Sequence, residues 1–250
     1  MQAPFYIISD NHFMMNINDS EIQRRNKIMQ VFNKIKKAKK GTLIIGGDFF
    51  DFWFETKTVV PKGYEDLINA LSELNKSGIE IHYLAGNHDY WDYGYLKKTA
   101  NIIFHKNDLK INYNNQKILF THGDGLLKND YGYRFMKKII RSKIFVKIFS
   151  MIPHNISFQF ANKMSRSSSG YNHHDKYVDM IIRDVSEFAE KKWKQEFDIV
   201  MVGHYHQQKI INKNHKSLVF LGDWLKYFTV TQLDENGIWQ GDWEQFLKLS

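Results

Sequence analysis

Five short apolar runs in this chain each stop at a cluster of Asp, His, Asn and Gly, and this repeated ending limits the fold more than any other feature. Phe5-Tyr6-Ile7-Ile8 runs into Ser9-Asp10-Asn11-His12, and Thr42-Leu43-Ile44-Ile45 into Gly46-Gly47-Asp48-Phe49-Phe50-Asp51. Residues 79–84 end in Gly86-Asn87-His88-Asp89, residues 117–120 in Thr121-His122-Gly123-Asp124, and residues 197–202 in Gly203-His204-Tyr205-His206. Runs this short, rich in Ile, Val and aromatic residues, read as buried strands. Helical periodicity over about 20–40, 64–76 and 175–193 separates them, which is the alternation of an α/β chain. Further strands are expected near 209–212, 217–221, 226–232 and 237–243. In an α/β sheet the carboxyl ends of parallel strands open onto one crevice, so five such endings can bring their side chains together.

The composition narrows the chemistry of that crevice. Among 250 residues, 43% hydrophobic, there is no cysteine, so thiolate ligands, a cysteine nucleophile and a disulfide scaffold are excluded. A metal would have to sit on His, Asp, Glu or Asn. The first ten residues lack the basic start of a signal peptide, and Asp10 cuts their apolar run, so such a peptide is not expected. No apolar stretch reaches the length of a spanning helix. Without internal repeats or a dividing linker, one domain over 1–250 is expected, with an insertion at about 130–175.

The excess charge lies in that insertion. Between Tyr131 and His174 there is no acidic residue but there are eight basic ones, and the remaining 27 basic residues match the chain's 27 acidic ones. Phe135, Ile139, Ile144, Ile148 and Ile152 recur at helical intervals, while Arg134, Lys137, Lys138 and Arg141 form an i, i+3, i+4, i+7 stripe. Three readings of this basic amphipathic helix compete: a solvated face, a nucleic-acid surface, and an interfacial helix on anionic lipid. Phe135, Phe145, Phe149 and Phe158 lie among aliphatic residues and resemble core or chain-binding groups more than base-stacking platforms, so nucleic acid is not favoured.

The ordered set D-x-H, GD-x-x-D, GNHD, HGD and GH-x-H resembles the calcineurin-like metallophosphoesterases over residues 8–206. The resemblance implies two packed mixed β-sheets flanked by helices around a two-metal centre. It implies that Asp10, His12, Asp48 and His206 hold one divalent ion and Asp48, Asn87, His122 and His204 the other, with Asp48 bridging. A carboxylate between two cations is physically sensible, because the cations repel each other. A shared water or hydroxide is then the nucleophile at phosphorus, and no covalent enzyme intermediate forms. His88 is expected to contact phosphate and help the leaving oxygen depart, with Asp89 fixing its tautomer. Asp51 and Asp124 are expected to orient ligands or close turns. The donor set suits manganese, iron, zinc or cobalt, and manganese is the ion that the resemblance implies. His82, His105, His154, His173, His174 and His215 match no motif and are expected to be structural or at the surface.

Between the motifs, Gly47–Trp53, His122–Leu126, the basic apolar insertion and Leu221-Gly222-Asp223-Trp224 resemble the UDP-2,3-diacylglucosamine pyrophosphatases of lipid A biosynthesis. That narrower resemblance implies cleavage of a nucleotide-linked acylated sugar to UMP and the sugar 1-phosphate, on the cytoplasmic face of the inner membrane. The insertion is then a helical lid whose apolar residues line an acyl chamber while its cations face phosphate and anionic lipid. Asn87, His88, Asp130, Ser168, Asn172, Lys176 and His204 are the substrate contacts it implies. At two places the pattern departs: Asp175 stands where a lysine is expected, with Lys176 next to it, and His88 stands where well-known members carry Arg. His88 therefore keeps open a general phosphoesterase acting on soluble nucleotides or phosphoproteins, with a nuclease a more distant alternative.

Overall fold

The computed structural model describes residues 1–56, 60–149 and 175–249. Parallel pairing joins β1 (Phe5–Ile8), β2 (Thr42–Ile45), β3 (Glu80–Leu84) and β4 (Ile103–His105). Antiparallel β10 (Thr229–Asp234) and β11 (Gly237–Asp242) extend this sheet, in the order β11-β10-β1-β2-β3-β4. The second sheet runs β5-β6-β7-β9-β8, built from β5 (Leu109–Tyr113), β6 (Gln116–Thr121), β7 (Ile199–Val202), β8 (Gln208–Lys213) and β9 (Lys216–Leu221). Strands β6, β7 and β9 are parallel, and β5 and β8 pair antiparallel at the edges.

The strands β1, β2 and β7, buried along their whole length, need cover on both faces, and the core is layered accordingly. Ile7, Ile44 and Leu84 of the first sheet pack against Phe120, Met201 and Val219 of the second. The outer face of the first sheet is covered by α1 (Asp19–Ala38), α2 (Glu65–Lys76), α3 (Tyr95–Ala100) and a C-terminal helix, Trp243–Lys248, through residues such as Ile28, Val31, Leu71, Leu96 and Phe246. Ile181, Val185 and Ala189 of a second long helix, Asp175–Lys194, cover the outer face of the second sheet. This is the two-sheet α/β architecture that the motif order implied.

The chain departs locally from the sequence reading. Helix α1 starts where Asn18 Oδ1 accepts the Glu21 N–H at 2.8 Å and stops at Lys39 in a left-handed conformation, close to the expected ends. The strand expected over 226–232 begins at Thr229, because the Asp223 carboxylate gathers the N–H groups of Leu225, Lys226 and Tyr227 into a turn. The helix expected through the basic segment is two helices, α4 (Tyr131–Ile140) and α5 (Lys143–Phe149). They part at Ser142, whose Oγ accepts the Phe145 N–H at 3.2 Å and caps a new first turn. Strands β4 and β5 and helix α3 were not anticipated. The long helix on the second sheet is α6 (Asp175–Lys194), and the C-terminal helix is α7 (Trp243–Lys248).

On β3 and β4, His82 Nδ1 lies 2.8 Å from His105 Nε2, and His82 Nε2 lies 3.1 Å from a Glu80 oxygen. Burial lowers His82 below its ordinary 6.5, against the pull of Glu80, and burial together with the charge of His82 lowers His105. Folding thus favours the neutral rings. Their contribution to stability is complete above pH 6.5 and declines as pH falls below it. Melting temperatures should fall between about pH 7 and about pH 5, and His105→Gln should flatten that slope. An identical slope in the variant would show that this pair does not control it.

Candidate metal centre

Six parallel strand ends, three from each sheet, bring the polar clusters to one edge of the sandwich. Asp10 and His12 follow β1, Asp48 follows β2, Asn87 and His88 follow β3, His122 follows β6, and His204 and His206 follow β7. The sixth end, after β9, adds Asp223, which the sequence reading quoted within a motif without assigning it a role. Its signal was present: Leu221-Gly222-Asp223 repeats the strand-then-Gly-Asp pattern of Ile45-Gly46-Gly47-Asp48.

These turns are tight enough to hold several ligands in unusual backbone. Asp10, His12, Asp48, His204 and His206 all have φ between 45° and 66°, the left-handed region that costs a residue with a side chain of order 1–3 kcal/mol. The surroundings enforce it: Asp10 N–H donates to Gly47 O at 3.0 Å and His12 N–H to Asp48 O at 2.9 Å, while the Asp10 carboxylate accepts the His204 N–H at 2.9 Å. Two glycines make room. A Cβ at Gly86 would overlap the Asp48 carboxylate, and Gly47, at φ +102°, would drive one into the His122 ring.

The donors form three overlapping groups, Asp10–His12–His206, His12–Asp48–His88 and Asp48–His122–His204, with the ligand atoms of each group within 4.8 Å of one another. Four imidazoles share one arrangement, in which Nδ1 faces an oxygen outside the cluster. His12 Nδ1 lies 3.7 Å from Asp51 Oδ1 and His206 Nδ1 3.5 Å from Asp223 Oδ2, while His122 Nδ1–H donates to Gly46 O at 3.0 Å and His88 Nδ1–H to Asp51 O at 2.6 Å. A proton held at Nδ1 leaves the Nε2 lone pair for the cluster, which is how metal-binding imidazoles are usually oriented.

The inward Nε2 atoms meet acceptors. His122 Nε2 is 3.2 Å from Asp48 Oδ2 and 3.1 Å from Asn87 Oδ1, and His206 Nε2 is 3.7 Å from Asp10 Oδ1. His12 Nε2 is buried without a hydrogen-bond partner, 3.9 Å from Asp48 Oδ2. Lone pairs and carboxylates that converge without donors between them fit divalent cations. The electrostatics show the same demand for positive charge, which a proton on His122 Nε2, facing Asp48, meets here. Burial would lower His122, but Asp48 outweighs it, with Asp10 and Asp124 beyond, and lifts the ring to about 10. Burial and the charge of His122 push the neighbouring His204 down to about 3. Asp48 is held well below the carboxylate range despite its burial, chiefly by His122 and His88. One buried carboxylate thus stays ionised among four imidazoles.

Asp89 does not orient His88. Buried, it accepts N–H from Phe49 at 2.8 Å and Gly86 at 2.7 Å together with the Tyr83 hydroxyl, and so ties the loop after β2 to the loop after β3. Burial, with Asp48 nearby, raises it to about 6. The Asp51 backbone carbonyl takes the role expected of it at His88. Asp124 accepts from Tyr133 Oη at 3.1 Å and pairs with Lys137 at 2.8 Å and Arg141 at 2.9 Å. Arg141 also donates to Gly86 O at 3.2 Å and lies over the Tyr90 ring. Among the implied substrate contacts, Asp130 is half-buried at the start of α4 and Lys176 is exposed at the start of α6. Ser168, Asn172, Phe158, His154, His173 and His174 lie outside the described residues.

The amphipathic sense of α4 is the reverse of the expectation. Arg134 turns back onto the carbonyls of Gly125, Leu127 and Lys128, as Lys137 and Arg141 do onto Asp124, whereas Tyr131 and Phe135 are 73% and 69% exposed and Met136 and Ile139 also face outward. The cations belong to the inner face because the buried Asp124 carboxylate and the carbonyls of the loop after β6 accept them there. Of the stripe, only Lys138 is exposed.

A family model described as calcineurin-like phosphoesterase matches residues 3–208, a span that includes all seven donors. The chain belongs to this family. Calcineurin-like phosphoesterases are hydrolases, and so is this chain. It is 23% identical to a UDP-2,3-diacylglucosamine hydrolase of Porphyromonas gingivalis across 96% of this chain and 95% of that one. A protein of the same description from Pseudomonas fluorescens is 29% identical across 78% and 79%. Among solved structures, an archaeal phosphodiesterase aligns over 95% of this chain and 98% of its own at a TM-score of 0.47 and 16% identity.

Proposed function

We propose that this phosphoesterase hydrolyses the pyrophosphate bond of UDP-2,3-diacylglucosamine, releasing UMP and 2,3-diacylglucosamine 1-phosphate, with two divalent ions, manganese first among them. The convergence of seven oxygen and imidazole donors from both sheets carries the reaction class, and the relatives' substrate supports the lipid. Asp10, His12, Asp48 and His206 would hold one ion and Asp48, Asn87, His122 and His204 the other. When bound, the ions would supply an acidified water at neutral pH and neutralise charge on the phosphoryl oxygens.

The chain's own residues do the rest. Asp48, kept ionised, turns Oδ2 toward both donor groups, 3.9 Å from His12 Nε2 and 3.2 Å from His122 Nε2, while its Oδ1 accepts the His88 N–H. His88, its Nδ1 proton committed to the Asp51 carbonyl, presents Nε2 beside His12, with ring centroids 4.7 Å apart; when Nε2 takes up a second proton from solvent, the imidazolium can deliver that proton to the departing phosphate oxygen and return to the neutral ring. The outward apolar face of α4, with Lys138 beside it, is suited to resting on the cytoplasmic face of an anionic membrane.

His88 supports a second reading, a phosphoesterase for soluble nucleotides or phosphoproteins, because an imidazole here serves any leaving oxygen. Nucleic acid fits poorly, since Arg134, Lys137 and Arg141 are engaged inside the protein. The chain supplied with UDP-2,3-diacylglucosamine and Mn²⁺ should release UMP. If a generic phosphodiester is hydrolysed under the same conditions while no UMP forms, the lipid substrate is wrong and the soluble reading stands.

A further inference from the structure

Arg24 lies on α1, outside the donor set, and is buried. A buried guanidinium must place its N–H groups on acceptors, and those Arg24 uses are selective. Its Nη2 donates to the backbone carbonyls of Asn11 and His12, the latter at 3.2 Å, and its Nε donates to the carbonyl of Trp224 at 3.2 Å. Nη1 is held by Glu21 Oε2 at 2.7 Å, and Glu21 in turn holds Arg25, which donates to the Met14 carbonyl. The first two carbonyls belong to the left-handed loop that carries Asp10 and His12. The third directly follows Asp223, the carboxylate that faces His206 Nδ1. The charge of Arg24 also acts on Asp51 and Asp223, the two carboxylates behind His12 and His206. Phe13 packs against its underside, 5.3 Å from ring centroid to guanidinium.

These contacts gather on one half of the centre. His122 is oriented by the Gly46 carbonyl, and the Asp48 carboxylate receives the His88 N–H; neither contact involves Arg24. We infer that Arg24 is a positioning residue for one ion only, the one held by Asp10, His12 and His206 with Asp48, because it fixes the two loops whose imidazoles reach that ion. This assignment rests on the two-ion reading above.

The test is Mn²⁺ binding to the full chain, measured by equilibrium dialysis with elemental analysis and by the electron paramagnetic resonance of the bound ions. In the wild-type chain two ions should bind and show exchange coupling. Arg24→Met should weaken one ion about 10- to 100-fold, the usual cost of losing a group that orients ligands, and leave the other within about twofold. The coupled spectrum should then give way to the hyperfine pattern of an isolated Mn²⁺ at intermediate metal concentrations. Arg24→Lys keeps the charge but not the three-way grip and should show the same asymmetry at smaller size, and it carries the test if the Met variant does not fold. In a His206→Asn background the effect of Arg24→Lys or Arg24→Met on metal binding should shrink, because only the loop of Asp10 and His12 is then left for Arg24 to fix. A merely structural role would lower the melting temperature in chelator and weaken both ions alike. Equal weakening, or none, overturns the inference; a wild-type chain that binds fewer than two ions overturns the two-ion reading and this assignment with it.

Discussion

Asp48→Asn should lower turnover by at least about a thousandfold and leave the chain unable to retain a metal pair. Asp48 links the donor group of His12 and His88 to that of His122 and His204, and the ions it would bridge would supply several kcal/mol of transition-state stabilisation, at about 1.4 kcal/mol per decade of rate. Asparagine keeps the shape and the oxygen that accepts the His88 N–H at 2.8 Å, so the fold should persist. What is lost is the one negative charge that stays ionised among His12, His88 and His122. Elemental analysis of the purified variant, turnover and a melting curve together decide the matter. Near-normal turnover, or two ions still tightly bound, would remove Asp48 from the role of bridge.

His88→Gln should reduce turnover by about 10²- to 10⁴-fold, the range for a positioned proton donor, with both ions retained. Its role is separable from ligation by the leaving group. A substrate whose leaving oxygen departs as a stable anion, such as a nitrophenyl ester, needs no proton and should be hydrolysed by the variant nearly as well as by the wild type. The sugar phosphate leaving from a pyrophosphate should show the full loss. If both substrates suffer equally and one ion is lost, His88 belongs among the ligands. Its place in the His12–Asp48–His88 group makes that outcome a meaningful alternative.

Much of this centre was readable in the chain because its information is local: a buried strand, a turn, and a ligand within a few positions. Asp223 could have been read in the same way. What sequence reasoning missed depends on distant partners. Arg24 meets Trp224 across 200 positions, and nothing near residue 24 announces that its charge is buried. The orientation of α4 was misjudged for a related reason. An amphipathic pattern has two faces but does not say which one turns inward, and the decision lay with Asp124, 13 and 17 residues upstream of Lys137 and Arg141. Asp89 was assigned by adjacency to His88, but successive residues in a tight turn point apart, and its side chain met three donors on the other side.

Because each sheet contributes three of the six strand ends, ion loading and the mating of the two β-layers become a single thermodynamic quantity. The seam is already stitched where the Asp10 carboxylate takes the His204 N–H and where His122 leans on the Gly46 carbonyl. Cations that bind there would act as rivets across the sandwich, so chelation should loosen the apposition of the two halves as well as silence the chemistry.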